Sequence, residues 1–243
     1  GDVPLNTSAA PSTSDTSILA RVSKETIYTD VIIPDLQAAK AALGIEIQDG
    51  RASRYAAQAL LGKVYLHRAE YQNAASELGA VVNGAASAGI SLQANFADIF
   101  GEANDLNSEI IFAIQVSSSI TDEYGFSEFW SWSAGLDTKA LEPLDEDLVD
   151  AFDASDANGG GTDLRRAVTI NAGETASPKF PQEGGPDHDW IEIRLADVIL
   201  MYAEALNQTG SSAQSVLDLL DPIRSRAGLS PLDHTTISST SDV

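Results

Sequence analysis

The sequence predicts a mainly α fold in which helical hairpins pack against an irregular, loop-rich segment with little β. Three observations lead there. Apolar residues recur at three- and four-residue spacing over 23–43, 52–82 and 191–226. Between the second and third of these tracts, 85–190 shows no sustained helical period and collects Gly, Pro, Asn and Asp. The 243 residues, 43% hydrophobic and 21% charged, suffice for a packed core without staples, and there is no cysteine to supply one.

Residues 6–17 (NTSAAPSTSDTS) are linker-like. Ser23 offers the cap of a helix running to about Leu43, with Ile27, Tyr28, Val31, Ile32, Leu36 and Ala39 on one stripe. Pro34 lies inside it and predicts a kink, because it removes one amide donor and crowds the carbonyl of Asp30. A second helix spans 52–69. A third runs from Tyr71 to about Val82, where Gly84 is expected to end it in a left-handed conformation. Leu92, Phe96, Ile99 and Phe100 suggest a short helical or irregular piece, and 109–116 is β-rich. Asp145 caps a short helix through Phe152, and 153–163 is an acidic, Gly-rich loop. The last hairpin is a helix over 191–207, a break at Gly210 and a partner helix to Arg226. The expected organisation is one unit: a helix plus hairpin over 18–84, an irregular segment over 85–190, a second hairpin over 191–228 and a polar tail over 229–243.

The charge balance excludes partners. Asp and Glu number 36 against 14 Lys and Arg, a net charge of −22. The basic residues are scattered from Arg21 to Arg226, so no cluster exists to neutralise phosphates, and nucleic acid and anionic membrane surfaces are disfavoured. No run approaches the ~18 apolar residues that span a bilayer.

In the first hairpin, Leu61-Gly62, Tyr65 and Ala74 match the tetratricopeptide spacing L-G-x2-Y…A, in which small residues sit where two helices cross. Around Tyr202 and Ala205 the second hairpin fits only loosely. Other landmarks follow in order. They are Gly1-Asp2-Val3-Pro4-Leu5, Asp35-Leu36 with Ala38 and Ala39, Ala59 to Leu66 with Tyr71 and Ala74, and Ser108-Glu109-Ile110-Ile111-Phe112. Then come Arg194-Leu195-Ala196-Asp197-Val198-Ile199-Leu200-Met201-Tyr202-Ala203-Glu204-Ala205 and Ile223-Arg224-x-Arg226-Ala227-Gly228. In these landmarks and their order the chain resembles, almost end to end, the SusD/RagB family of outer-membrane nutrient-binding lipoproteins.

The resemblance implies a non-enzymatic, outward-facing protein of the outer membrane. It would bind an oligosaccharide or a peptide and deliver it to a TonB-dependent SusC-like transporter. No cofactor and no metal are implied. Family members extend further at both ends, and the membrane is reached only through an N-terminal lipid-bearing Cys that this chain lacks. The expectation is therefore an internal fragment. A tetratricopeptide scaffold for a protein partner is the alternative from another class.

Of sixteen aromatics, five fall within nine residues: Tyr124, Phe126, Phe129, Trp130 and Trp132. Sugar rings present flat C–H faces that indole and phenol rings match, so Tyr124, Trp130 and Trp132 are candidate ligand contacts. The resemblance places the segment after Phe112 on the ligand face. Packing in the core or against the transporter is the competing role. Trp190 is a second candidate, or else a staple at the start of the following helix. Glu204 has no partner acid for glycoside chemistry and is expected to hold a backbone amide or Arg194. Asp156 and Asn158 fit a calcium loop, but Gly160 stands at the third ligand position and Asp163 arrives too early, so a solvated acidic turn is the simpler expectation. His67, His188 and His234 have no zinc spacing.

A charge this far from zero opposes compaction in dilute salt and is screened at molar salt, where the Debye length is about 3 Å. The expectation is a protein adapted to saline surroundings. Its unfolding midpoint should rise from low to molar NaCl; a flat profile contradicts that adaptation.

Overall fold

The computed structural model describes residues 1–7, 14–47, 50–116, 144–174, 177–179 and 189–237. Tyr124, Trp130 and Trp132 lie outside the described residues. Short strands β1 (Val3–Pro4) and β2 (Arg21–Val22) pair antiparallel near the start. Ser23 then caps helix α1 (Lys24–Ile27), its Oγ accepting the Thr26 amide at 3.1 Å. A π-helical turn, Tyr28–Ile32, leads without a break into α2 (Ile33–Ala42). This is the structure's answer to Pro34. The proline sits in the first turn of α2, and the Ile33 amide just before it reaches back five residues to the Tyr28 carbonyl. The extra residue in that turn lies where the proline leaves the ladder without a donor.

Helices α3 (Arg54–His67, capped by Ser53) and α4 (Tyr71–Gly84) form the expected hairpin. Its turn closes through Ala69 in left-handed backbone and a bond from the Glu70 amide to the Tyr65 carbonyl at 2.8 Å. The residue that needs Gly62 to be small is Leu78: a Cβ at 62 would lie 2.5 Å from the Leu78 Cγ. The end of α4 corrects the expectation for Gly84. Gly84 keeps helical backbone (φ −93), the chain continues as a 3-10 turn over Ala85–Ala88, and Gly89 takes the left-handed position at φ 74. Gly84 is required for a different reason, since a Cβ there would lie 2.1 Å from the Tyr55 hydroxyl.

Past the 3-10 turn Phe96–Ile99, strand β3 (Ile110–Ile114) pairs antiparallel with β4 (Trp190–Arg194), from Ile110 opposite Arg194 to Ile114 opposite Trp190, with bulges between. Strand β4 corrects the expected helix start at Ile191. Trp190-Ile191-Glu192-Ile193-Arg194 alternates and is β-branched, and a partner strand 80 positions away in sequence satisfies its backbone. Helix α5 (Glu146–Asn158), capped by Asp145, runs past the predicted Phe152, so Asp153, Asp156 and Asn158 are helical rather than loop. After the short α6 (Arg166–Thr169), the chain closes with α7 (Leu195–Gln208) and α8 (Ala213–Arg226), broken by Gly210.

The helices stack in chain order: α2 on α3, α3 on α4, α4 on α7, and α7 on α8. Leu61, Leu78, Val81, Ile111 and Val198 are fully buried at the centre of this stack. Each such side chain contributes roughly 1.5–3 kcal/mol of burial. Polar ties join α2, α3 and α4: Lys40 of α2 pairs with Glu77 of α4 at 2.6 Å, and Gln58 of α3 donates to the same carboxylate at 3.2 Å.

Candidate functional site

The β3–β4 ribbon organises the molecule at both of its ends. At one end stands Glu109, just before β3, with no exposed surface. Its amide donates to Asn107 Oδ1 at 3.0 Å, and its carbonyl accepts the amide of Leu195, the first residue of α7, at 2.9 Å. Carboxylate Oε1 accepts Arg194 Nη1 at 3.1 Å. The other oxygen, Oε2, accepts the Gln93 amide at 2.8 Å and Arg226 Nη1. Arg194 also binds Asp197 at 2.9 Å. Three sequence landmarks (Ser108 to Phe112, the run from Arg194, and the turn containing Arg226) thus meet on one buried carboxylate. Every oxygen of it is engaged, which makes it a structural junction rather than a free acid.

At the other end stands Trp190, opposite Ile114. It is half-buried, and its indole N–H donates to Glu192 Oε2 at 3.1 Å. The Val116 amide donates to Asp189 Oδ1 at 3.1 Å. Val116, the last described residue of this stretch, is thus tied beside Trp190. Trp190 does not staple a helix start; it opens a strand, and α7 begins five residues later. Beside Glu192 runs a groove of about 310 Å³ between α3 and α7, floored by Leu60, Ile193, Leu200 and Met201. Its floor is aliphatic, with no ring to stack on a sugar.

Other expectations resolve into local structure. Glu204 is exposed on α7, and Arg194 pairs with Glu109 and Asp197, so the expected Arg194–Glu204 contact is corrected. Geometry explains the exchange, since Arg194 ends a strand pointing toward Glu109 while Glu204 lies in the third turn of the following helix. Asp163, expected as part of a solvated turn or calcium loop, is buried. Its carboxylate takes both Arg165 Nε (2.8 Å) and Nη2 (2.6 Å), together with Ser155 Oγ at 2.8 Å. Burial pushes the carboxyl up, but the Arg165 pair, the Ser155 hydroxyl and the Arg165 amide outweigh it and hold it below the usual carboxylate range. The neighbouring glycines allow backbones to touch: a Cβ at Gly161 would lie 2.1 Å from the Gly228 carbonyl. There Ser230 donates its amide to the Gly159 carbonyl at 3.0 Å, locking the Gly-rich loop to the turn after α8. His234 pairs with Asp221 at 2.7 Å, His67 lies in the last turn of α3, and His188 is outside the described residues.

Sequence reasoning missed Glu109 as the junction. Its signal is an acid that opens an apolar β run, a position whose burial demands cationic partners.

Comparison with known proteins agrees with this architecture. The model of the SusD family matches residues 150–243. SusD-like protein P2 of Formosa agariphila is 25% identical over 266 residues, covering 94% of this chain and 52% of that protein. The chain thus spans about half the length of that relative. A SusD superfamily protein of Bacteroides thetaiotaomicron superposes with TM-score 0.77 at 25% identity, covering 98% of this chain and 54% of that one. A laminarin-binding SusD-like protein superposes with TM-score 0.65 at 24% identity, covering 97% of this chain and 61% of that one. The chain is SusD-like in sequence over its C-terminal part and in fold over most of its length.

Replacing one partner of a buried ion pair leaves the other charge uncompensated, at a cost of about 3–5 kcal/mol. Glu109→Gln should therefore lower the unfolding free energy by about that amount in urea titration, whereas Glu204→Gln, on the exposed face of α7, should leave the midpoint within error.

Proposed function

We propose that this SusD-like chain is the glycan-binding part of a cell-surface protein that hands oligosaccharides to a TonB-dependent SusC-like outer-membrane transporter. The observation that carries the reading is the agreement of motif order, family match and fold with SusD-like proteins, one of which binds laminarin. The protein is held at the outer face of the membrane by a lipid anchor outside this chain. Among the described residues no helix is long and apolar enough to cross a membrane.

Ligand contact falls to Tyr124, Trp130, Trp132 and Trp190. The support is the clustering of aromatic rings in the sequence between Tyr124 and Trp132, together with a half-buried Trp190 at the end of the β3–β4 ribbon. Stacking on apolar ring faces, with a few polar groups fixing orientation, binds a sugar without making or breaking a bond. Catalysis is disfavoured because Glu109 and Asp163, the buried acids that stand beside arginines, spend their oxygens on structure.

The same fold holds peptides equally well in principle, so peptide capture is the second reading. A tetratricopeptide scaffold is weaker. Its repeats follow one another through short loops, whereas here α4 ends at Gly84 and α7 begins only at Leu195.

Calorimetry against laminari-, malto- and xylo-oligosaccharides, with a peptide library as the second arm, tests the reading. One glycan series should bind, and the Trp130→Ala, Trp132→Ala double variant should lose roughly tenfold or more in affinity with unchanged circular dichroism. Unchanged affinity removes those residues from the site, and capture of peptides alone replaces glycan with peptide as the cargo.

A further inference from the structure

In a chain of net charge −22, three cations gather at one point among the described residues. Its centre is Lys179, in a turn formed by residues 177–179. The Lys179 ammonium sits 4.5 Å from the centroid of the Phe100 ring and 5.9 Å from that of Phe96. The two rings meet edge-on, with centroids 5.3 Å apart. The Arg226 guanidinium stands over the same Phe96 ring at 5.9 Å. Arg194 is close enough to repel Lys179, and Asp197 close enough to attract it.

Among the described side chains around this point, Lys179, Arg194 and Arg226 face two carboxylates, Glu109 and Asp197. Both arginines are bound to Glu109, and Asp197 is bound to Arg194. Among the described residues no carboxylate or carbonyl oxygen takes a hydrogen bond or ion pair from the Lys179 Nζ. Lys40 shows the contrast, closed by Glu77 at 2.6 Å.

Burial, with Arg194 adding its repulsion, pulls the Lys179 ammonium below the ordinary lysine range against the weaker attraction of Asp197. A cation–π contact offsets part of this cost, at about 0.5–2 kcal/mol, but supplies no hydrogen-bond acceptor for three N–H donors. An anion brought to the same point would supply both charge and acceptors.

We propose that Lys179, set on the Phe96–Phe100 ring pair beside Arg194 and Arg226, is an anion subsite that takes a carboxylate or sulfate group of a glycan ligand. This rests on the glycan-binding reading above and narrows it to acidic saccharides. The aliphatic stem of Lys179 and the rings form the apolar surround, the ammonium supplies the charge-assisted hydrogen bonds, and the two arginines bias the region toward negative groups without leaving Glu109.

Calorimetry on the full chain tests this with a neutral laminari-oligosaccharide, an oligogalacturonate and a sulfated galactan oligosaccharide of matched length. At least one charged series should bind more tightly than the neutral one; which of the two does so separates carboxylate from sulfate. Lys179→Met, which keeps an apolar stem on the rings, should remove that margin, about tenfold, and leave neutral binding unchanged; Lys179→Arg should retain it. As a direct readout, the 13C-dimethylated Lys179 resonance should shift on adding the charged oligosaccharide while that of Lys63 stays in place. Equal affinity of Lys179→Met and the parent chain for charged glycans, or a motionless Lys179 resonance, overturns the subsite. Neutral binding that persists in that case leaves the glycan-binding reading intact, and failure of these three saccharides and of the malto- and xylo-oligosaccharides alike overturns that reading instead.

Discussion

A carboxylate removed from water must be met by charge, and that requirement on Glu109 shapes the rest of the structure. The cations come from positions far apart in sequence: Arg194 at the end of β4 and Arg226 at the end of α8. Bringing them to one point fixes the register of the β3–β4 ribbon, the direction in which α7 leaves it, and the place where α8 must end. The Leu195 amide on the Glu109 carbonyl and the Gln93 amide on its carboxylate add backbone ties in the same place. Most of the driving force lies elsewhere, in the stack of Leu61, Leu78, Val81, Ile111 and Val198, because a satisfied buried pair is often no more stable than apolar residues of the same shape. The carboxylate therefore selects one arrangement of elements that hydrophobic burial alone would leave loosely specified.

Much of the helical frame was legible from the chain. Period located α3, α4, α7 and α8, and the two caps read from the sequence, Ser23 and Asp145, each accept an amide of the first turn of α1 and α5. What escaped local reading has a common physical cause: its decisive partner is distant in sequence. Trp190 to Arg194 carries a pattern compatible with a helix start, and only the strand at Ile110–Ile114 settles it as β. Gly84 looks like a helix stop but is small because the Tyr55 hydroxyl lies against it. The acidic loop at 153–163 reads as solvated, yet Arg165 and the turn at Gly228 draw it inward. Of the candidate site, Trp190 could be placed, while Tyr124, Trp130 and Trp132 belong to residues outside those described.

The charge balance also takes on structure. Among the described residues Arg68, Arg165, Arg166, Arg194 and Arg226, five of the nine arginines, are held in ion pairs, as is Lys40. Against that background an ammonium on two phenyl rings, with no oxygen partner among the described residues, is conspicuous. The acidic surface and the positive point need not serve the same end. The first sets how the protein tolerates its medium, and the second concerns what it holds.

The claim that Glu109 binds three segments into one cooperative unit is tested most directly by native-state hydrogen exchange on Arg226→Met beside the parent chain. Protection should fall together at Gln93, along Ile110–Ile114 and at Leu195, while the α3–α4 hairpin keeps its slow exchange. Loss confined to the residues next to position 226, with Leu195 and the ribbon unchanged, would contradict the account.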